Sequence, residues 1–336
     1  MTGMTIAAEL AEQVTRALAD ATDVATLRAV ESGAFPAEAW AALDGLGLAA
    51  ALVAEDHGGA GLGFQDAMPL IEALGRAGAP VPLAEAIAAS ALLAAAGITP
   101  PEGTLTFAAA GARVPCARHA LHVALADGAT VALYAAGALR IEPGTNIGRE
   151  PRDTVAVTGA PVAQGTLPNA WGSEAALLLT ALIRAAQIAG AMQAALALAV
   201  EHANTRKQFG RPIGRFQAIQ QQLAVFAAES SAVSVAAAAA ARAADQRGLA
   251  NAAFEIGCAK ITAGEAAARG AAIAHQVLAA MGITEEHALH HYTRRLWAWR
   301  DEGGSERFWS ARIGQAAQQG GALWPFLTSR DEESAA

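Results

Sequence analysis

The chain has 336 residues, enough for two or three domains with cores of their own. Its hydrophobic fraction is 54%, but much of this is alanine, and apolar stretches such as 234–241 are too short and too weakly apolar to span a bilayer. A net charge of −8 argues against general nucleic-acid binding, because no basic excess is available to neutralise phosphates. We therefore expect densely packed helices, with neither a membrane nor a nucleic acid as partner.

Neither a disulfide framework nor a metal site is expected. The two cysteines, Cys116 and Cys258, belong to no CxxC motif and no Cys/His cluster. His287, His290 and His291 fall on one predicted helix, where the first and third, at i and i+4, could chelate a metal. Because no third ligand is evident, we interpret them as a solvated helix face. The N-terminus has no basic segment followed by an apolar block, so we expect no signal peptide and a cytoplasmic protein.

The first hundred residues have apolar positions at helical spacing. Residues 4–50 predict two or three helices. The following loop, residues 55–63, has four glycines in six residues, which is typical of tight or left-handed backbone. It is either a ligand-facing turn or a plain connector. A helix over about 64–76 and another ending near residue 96 complete an N-terminal helical domain over residues 1–100.

From residue 101 the composition changes. Short apolar runs with β-branched residues are separated by Gly, Pro and Asp, which is typical of strands joined by turns. Four such runs lie at residues 104–107, 120–125, 130–134 and 154–158. We predict a small, irregular β domain over residues 101–168.

Helical character returns after residue 168 and persists. Long helices are predicted over residues 173–204, 214–247 and 250–280, with Gly248 and Gly282 as stop signals. Tight turns between these helices favour a four-helix bundle. The predicted fold class is therefore mostly α with a small β domain.

Two further helices are predicted near the C-terminus. Thr284 is expected to cap a helix that has acids in its first turn and ends near Asp301. Ser305 is expected to cap a last helix to about Ala317. The C-terminal helical domain is thus predicted over residues 169–328, and the polar tail, residues 329–336, is expected to be disordered.

One stretch, TRKQFGRPIGRFQAIQQQLA at residues 205–224, is unusual for this composition. It places a cationic pair, amides and phenylalanines at the bend between two alanine-rich helices. Arg206, Gln208 and Phe209 there offer a charge, an amide and an aromatic ring to something outside their own helix. Taken alone, Arg206 fits a surface ion pair better, but the three together suit an anionic, partly aromatic ligand.

The order of these parts, with the motif R-x-Q-F-G-x-P-I-x-x-F-Q at residues 206–217, resembles the acyl-CoA dehydrogenase family. Residues 55–61, EDHGGAG, are similar to the family's P-E-x-x-G-G-x-G loop, with Ala54 where proline is usual. Residues 275–287, HQVLAAMGITEEH, are similar to its Q-x-x-G-G-x-G-x-T-x-E-H segment, with alanines at the two leading glycines. The resemblance covers essentially the whole chain.

The resemblance implies FAD as cofactor and acyl-CoA as substrate. Family members remove the α-proton of an acyl-CoA with a carboxylate and pass the β-hydrogen to the flavin as hydride. It also implies an electron-transferring flavoprotein as acceptor and an assembly of subunits, either a homo-oligomer or a heteromer. Matched residue by residue, the FAD of a neighbouring subunit would be met by Arg206, Gln208 and Phe209. The ADP portion of the cofactor would lie along Gln276, Ala280 and Gly282.

The same resemblance assigns the catalytic base to Glu302. Most members carry this glutamate in a Tyr-Glu-Gly-Thr turn, and residues 301–304 here read Asp-Glu-Gly-Gly. A dry pocket would raise the pKa of such a carboxylate towards neutrality, where it works best as a base. A minority of members place the base at the position of Thr180, which offers no carboxylate. The alternative for Glu302 is a solvated helix end, and Gly304 replaces the threonine that usually touches the flavin.

The β domain departs most from the family. Its usual T-E-P-x-x-G-S-D and W-I-T-N-G segments, which hold the flavin ring and the thioester, have no good match between residues 100 and 168. Asn146 and Trp171 are isolated, and we interpret them as structural. Two other readings therefore stay open: a half-site or catalytically silent partner in a heteromeric acyl-CoA dehydrogenase, and a non-redox enzyme that binds acyl-CoA.

Overall fold

A computed structural model describes residues 6–19 and 23–319. The N-terminal part is helical, as predicted, with helices α1 (Ile6–Leu18), α2 (Val24–Glu31), α3 (Ala37–Asp44), α4 (Phe64–Ala77) and α5 (Leu83–Ala95). Helix α5 is apolar apart from Glu85 and Ser90, and residues 83–93 are all buried, so it forms the centre of this part. The tail predicted to be disordered, residues 329–336, lies outside the described residues.

The glycine-rich loop before α4 is tied to the C-terminal helices. Gly58 and Gly61 have φ angles of 82° and 62°, the left-handed backbone predicted from the glycines. Asp245 accepts hydrogen bonds from the backbone N–H groups of Phe64 (2.7 Å) and Gln65 (2.9 Å). It thereby satisfies two of the free donors at the start of α4, as a capping residue does.

The middle part contains two small sheets. One sheet has the strand order β1-β3-β4-β7 and consists of β1 (Leu105–Ala109), β3 (His122–Asp127), β4 (Thr130–Ala135) and β7 (Ala163–Thr166). The other has the order β2-β6-β5 and consists of β2 (Val114–Pro115), β6 (Arg152–Val157) and β5 (Leu139–Glu142). The β1–β3 pair is parallel and the remaining pairs are antiparallel. Strands β2, β5 and β7 are short and were not predicted.

The C-terminal part is a helical bundle of α6 (Ala175–Thr205), α7 (Gln217–Arg247), α8 (Ala253–Leu278), α9 (Leu289–Asp301) and α10 (Glu306–Gln319). The three long helices agree with the prediction to within three residues at each end. A two-stranded hairpin, β8 (Lys207–Gln208) and β9 (Arg211–Pro212), joins α6 to α7. Helix α6 packs against α4, α7, α8 and α9, and so lies at the centre of the molecule.

Two predictions about helix ends need correction. Helix α9 begins at Leu289, four residues later than predicted, because Thr284 donates its hydroxyl to the carbonyl of Met281 (3.0 Å). The ring of His287 caps the helix instead, accepting from the N–H of Leu289 (3.1 Å). Helix α8 ends at Leu278, before the predicted stop at Gly282.

Two helices, α6 and α7, are long and apolar enough to cross a membrane by length and composition, which the prediction from shorter stretches overlooked. In α6, 89% of the most apolar window is buried, so that helix is a core helix. The corresponding window of α7 is 28% buried. The core helices of a folded protein pass the same test, so this observation is weak evidence for a membrane.

Candidate active site

Glu302 lies directly after α9, in a turn of unusual backbone. Gly303 and Gly304 have φ angles of 70° and 95°, which side-chain-bearing residues rarely adopt. A Cβ on Gly303 would lie 2.6 Å from the backbone nitrogen of Ala181, so the turn packs closely on α6. The glycine at position 304, where the family has threonine, follows from this backbone, because a β-branched residue is strained at such a φ.

The side chain of Glu302 faces a cavity of about 620 Å³ between the β domain, α6 and α9. Phe107, Ile183 and Trp297 contribute apolar surface, together with several alanines. Glu302 also lines the cavity with Arg152 from β6 and Arg184 from α6. The cavity thus combines room for an acyl group with a cluster of charges.

Four donors hold the Glu302 carboxylate. Its Oε1 accepts from Arg152 Nε (2.7 Å) and Asn146 Nδ2 (2.9 Å). Its Oε2 accepts from Arg184 Nε (2.7 Å) and Arg152 Nη2 (3.0 Å). A carboxylate has about four acceptor positions, so each of them is in use.

The ion pairs continue on both sides of Glu302 and link all three parts of the chain. Arg184 also donates to Glu85 of α5 (2.6 Å), and Arg152 also donates to Glu150 (3.1 Å). Glu150 further accepts from the Trp299 indole N–H (2.9 Å). The arginines are almost fully buried, at 5% exposure for Arg152 and 1% for Arg184. Such buried charges are tolerated only when paired and hydrogen-bonded.

The pKa of Glu302 is lowered to about 2, and the prediction that it is raised is wrong in direction. Burial by itself raises this pKa, but the charges of Arg152 and Arg184 and the hydrogen bonds from Arg152 and Asn146 outweigh burial. At neutral pH the group is therefore a firmly ionised carboxylate. The alternative reading as a solvated helix end is also wrong, since the side chain is 20% exposed.

On the described part of the chain, no other residue that lines the cavity offers a buried, unpaired carboxylate that could act as the base in place of Glu302. Thr180 lines the cavity, and its hydroxyl donates to the carbonyl of Ala176 (2.7 Å). Asp301 also lines the cavity, but it is solvent-exposed. Glu85, the remaining carboxylate in the lining, is 5% exposed and paired with Arg184.

The predicted cofactor residues of the hairpin are presented to solvent. Phe209 is 92% exposed at the tip, with a φ of 50°, and its ring meets that of Phe216 edge to face at 6.1 Å. Arg206 and Gln208 are exposed as well. Among the described residues, the Arg206 guanidinium has no hydrogen bond or ion pair, so the surface-ion-pair alternative is not supported.

The other predicted cofactor residues lie at the same end of the bundle. Helices α6, α7 and α8 follow one another up, down and up, so the C-terminal ends of α6 and α8 meet at one end. Gln276 and Ala280 are exposed there, whereas Gly282 is buried, and a Cβ on it would lie 3.0 Å from side-chain atoms of Leu278 and Leu289.

The hairpin and Glu302 lie far apart within one chain. Arg184, which contacts Glu302, precedes the end of α6 at Thr205 by 21 residues, which is about 30 Å of helix. The hairpin therefore lies far from the cavity of its own chain. This placement agrees with the expectation that it serves a neighbouring subunit.

The hairpin residues fit FAD. A guanidinium without an internal partner suits a diphosphate, which it can bind through two parallel hydrogen bonds. The amide of Gln208 adds further donors, and an exposed aromatic ring such as Phe209 packs against planar groups. Arg206, Gln208 and Phe209 would hold the diphosphate side of the cofactor.

Of the three histidines predicted to form a solvated face, His290 and His291 are buried and His287 is half-buried. His291 Nδ1 lies 2.6 Å from a carboxylate oxygen of Glu31, which also accepts from Arg294 (2.5 Å). Glu31, His290 and His291 hold possible ligand atoms within 4.8 Å of one another. A dication there would face the Arg294 guanidinium, so we interpret the cluster as an ion pair joining α2 to α9.

Arg152, Arg184 and Asn146 were missed as site residues from the sequence. One signal was available for Arg184, which is the sole charged residue between Glu174 and Glu201 in an otherwise apolar helix. Arg152 and Asn146 carry no such signal. They reach Glu302 only because the β domain folds against α9, 150 and 156 residues further along the chain.

Family models and several known proteins match this chain. Residues 6–99 match the model of the acyl-CoA dehydrogenase N-terminal domain, and residues 173–317 that of the C-terminal domain. Acyl-CoA dehydrogenase IpdE2 of Mycobacterium tuberculosis is 31% identical over 258 residues, which cover 74% of this chain and 77% of that protein.

Solved structures share the fold. The ChsE4-ChsE5 complex from Mycobacterium tuberculosis has a TM-score of 0.82 at 23% identity, covering 94% of this chain and 98% of that one. PigA, solved with FAD and proline, has a TM-score of 0.78 at 16% identity, covering 96% and 100%. The two domain matches and the 31% identical relative lead to one conclusion: the chain belongs to the acyl-CoA dehydrogenase family, and FAD is its cofactor.

Proposed function

We propose that this chain is a partner subunit of a heteromeric, FAD-dependent acyl-CoA dehydrogenase. Its hairpin holds FAD for a neighbouring subunit, and a second, different subunit supplies the catalytic base. The observation that carries the proposal is the saturation of Glu302 by Arg152, Arg184 and Asn146. FAD, when bound, supplies the ring that accepts the β-hydrogen of the acyl group as hydride.

A base for α-proton abstraction needs a free lone pair and a pKa near the working pH. Glu302 has neither in this arrangement, since its pKa is about 2 and its acceptor positions are taken. To accept a proton it would first have to give up a hydrogen bond from a buried guanidinium. Removing one partner from a buried ion pair costs about 3–5 kcal/mol, which would add to the barrier.

The cofactor hairpin supports the other half of the proposal. Its three predicted FAD residues are exposed and, on the part of the chain that the structure describes, Arg206 is unpaired. The hairpin lies about 30 Å along α6 from the cavity of the same chain. A chain built in this way contributes to a flavin site without completing one.

A second candidate is dehydrogenation by this chain itself, with Glu302 as the base. It is favoured by the position of Glu302 on the cavity, where 20% of its side chain is exposed to an incoming acyl group. Under this candidate, binding of the acyl-CoA displaces Arg152 or Arg184 from the carboxylate. For either candidate we propose an electron-transferring flavoprotein as the acceptor that reoxidises the flavin.

Flavin content and bleaching separate the two candidates. The purified chain is incubated with excess FAD, desalted, and its flavin absorbance compared with its protein concentration. It is then mixed with a panel of straight-chain, branched and ring-bearing acyl-CoAs. The partner-subunit proposal expects well under one FAD per chain and no bleaching by any acyl-CoA.

The opposite result would overturn the proposal in favour of Glu302 as base. That result is one FAD per chain, bleaching by at least one acyl-CoA, and loss of this bleaching in Glu302→Gln. Glu265→Gln is the matched control, since Glu265 is an exposed carboxylate of α8 that does not line the cavity.

A further inference from the structure

Lys260 of α8 is fully buried (0% exposed), close to the turn that carries Glu302. Its Nζ donates a hydrogen bond of 2.5 Å to the backbone carbonyl of Arg300, in the last turn of α9. The last carbonyls of a helix have no partner inside the helix, and a positive charge near them is favourable. Lys260 therefore caps the end of α9 two residues before Glu302.

A second side chain holds the same turn from α10. The indole N–H of Trp309 donates to the carbonyl of Gly303 (2.8 Å), and Trp309 is 1% exposed. The carbonyls on either side of Glu302 are thus bound by Lys260 and Trp309. Since Gly303 and Gly304 leave this backbone unusually free, such external contacts are needed to fix it.

The choice of lysine at this position is informative. Of the 23 Lys and Arg residues in the chain, only Lys207 and Lys260 are lysines. An ammonium is a compact point charge, whereas a guanidinium is a broad planar fork that would not suit a single carbonyl in a packed core. Burying the ammonium is unfavourable, as the lowering of its pKa to about 8 by burial shows, so packing alone does not account for it.

We propose that Lys260 is a positioning residue that fixes the Arg300 end of the turn and thereby places the Glu302 carboxylate between Arg152 and Arg184. Its effect on the cavity is exerted through Glu302. This role is independent of whether Glu302 acts as a base, because it concerns only where the carboxylate lies. A failure of the partner-subunit proposal would therefore leave it standing.

The test is amide hydrogen exchange in Lys260→Met, which keeps most of the side-chain volume and removes the donor. We expect exchange of the amides of residues 302–306 to accelerate about tenfold or more at pH 7, while global stability is unchanged or higher. Val277→Ala is the matched control, because Val277 is a buried residue of the same helix, 17 residues or about 26 Å of helix away from Lys260. This control should lower global stability without accelerating amide exchange specifically at residues 302–306.

Unchanged amide exchange at residues 302–306 in Lys260→Met would overturn the proposal. An acceleration no greater than the variant's loss of global stability predicts would also overturn it. Should this variant fail to fold, Lys260→Gln is measured in the same way, since it keeps an uncharged donor on a shorter side chain. Its expected acceleration is smaller but confined to the same residues, and no local acceleration would again overturn the proposal.

A second readout separates positioning from a merely structural role. In protein labelled with ¹³C at the glutamate carboxyls, the signal missing from Glu302→Gln identifies Glu302. We expect its titration midpoint to rise from about 2 in Lys260→Met, because the carboxylate loses a nearby positive charge and its fixed place between the arginines. An unchanged midpoint contradicts the positioning role.

Discussion

Arg152 binds Glu302 through two parallel hydrogen bonds, Nε to Oε1 at 2.7 Å and Nη2 to Oε2 at 3.0 Å. This bidentate contact joins the β domain to the turn after α9. It is the strongest geometry available to such a pair. A residue expected from sequence to move a proton is thus held as one would expect of a structural ion pair.

Replacing Glu302 by glutamine should destabilise the fold. Three buried arginines, Arg152, Arg184 and Arg295, would then face only two carboxylates, Glu85 and Glu150. An uncompensated buried charge costs about 3–5 kcal/mol. Urea unfolding at pH 7 measures the loss, with Glu286→Gln as the exposed control, which should change stability by less than about 0.5 kcal/mol. Equal stability of the two variants would contradict the anchoring role of Glu302.

The stabilisation by Glu302 should disappear in acid. Its pKa in the folded chain is about 2, below the ordinary 4.5, so its contribution is complete above about pH 4.5 and is lost as the pH falls towards 2. The shift corresponds to about 3 kcal/mol. The pKa of Glu31 is also lowered to about 2, because the hydrogen bonds and charges of His291 and Arg294 outweigh the effect of burial. Glu31 therefore loses its contribution to stability over the same pH range.

Subtracting the two curves isolates Glu302. The stability of the wild type minus that of Glu302→Gln should shrink between pH 5 and pH 2, while Glu31 cancels. If Glu302 instead had the raised pKa of a general base, the difference would vary near neutral pH. A difference that does not change with pH fits neither description.

Arg206→Ala should weaken flavin binding without affecting the fold. The guanidinium is exposed and, within the described residues, unpaired, so its loss removes no internal contact. A lost hydrogen bond to a charged diphosphate is worth about 1.5–3 kcal/mol, roughly a 10- to 150-fold rise in the Kd for FAD. Flavin fluorescence titration of the assembled holoenzyme measures it, with Arg242→Ala, an exposed arginine of α7, as the control. Equal affinity of the two variants would exclude Arg206 from the cofactor site.

Local sequence patterns predicted the long helices and the bend between α6 and α7 well, but not that this bend is a two-stranded hairpin. Periodic alanine and leucine specify α6, α7 and α8, and a proline and glycines mark the bend that carries Arg206. The start of α9 was predicted wrongly because either Thr284 or His287 could bind the first free N–H groups of the helix. The His287 ring accepts from the N–H of Leu289, whereas the Thr284 hydroxyl donates to the carbonyl of Met281. Such local competitions depend on geometry that residue spacing does not contain.

The character of the cavity could not be predicted in the same way. The pKa of Glu302 depends on Arg152 and Arg184, which are 150 and 118 residues away in the chain. Burial alone gives the wrong direction, and only the positions of these two arginines reverse it. Likewise His291 is buried because α2 brings Glu31 to it, and nothing near His291 in the sequence indicates this contact.

Lys260 should make the protein more stable as the pH rises above 8. Burial lowers its pKa to about 8, against 10.5 in the unfolded chain, while Glu306, Glu302 and Asp301 oppose this shift. Between these values the unfolded chain binds more protons, so stability increases with pH. The expected gain from pH 7.5 to 9.5 is about 2 kcal/mol. Urea unfolding of the wild type, compared with Lys260→Met at each pH, measures it.

The comparison with Lys260→Met is needed because other buried groups titrate nearby. Burial raises the pKa values of Cys116 and Tyr292, which lowers stability at alkaline pH, but both residues are present in the two proteins and cancel. Lys207→Met is the matched control, since Lys207 is exposed and its removal should not alter the pH dependence. If the difference in the free energy of unfolding between the wild type and Lys260→Met stays constant from pH 7.5 to 9.5, burial does not lower the pKa of Lys260.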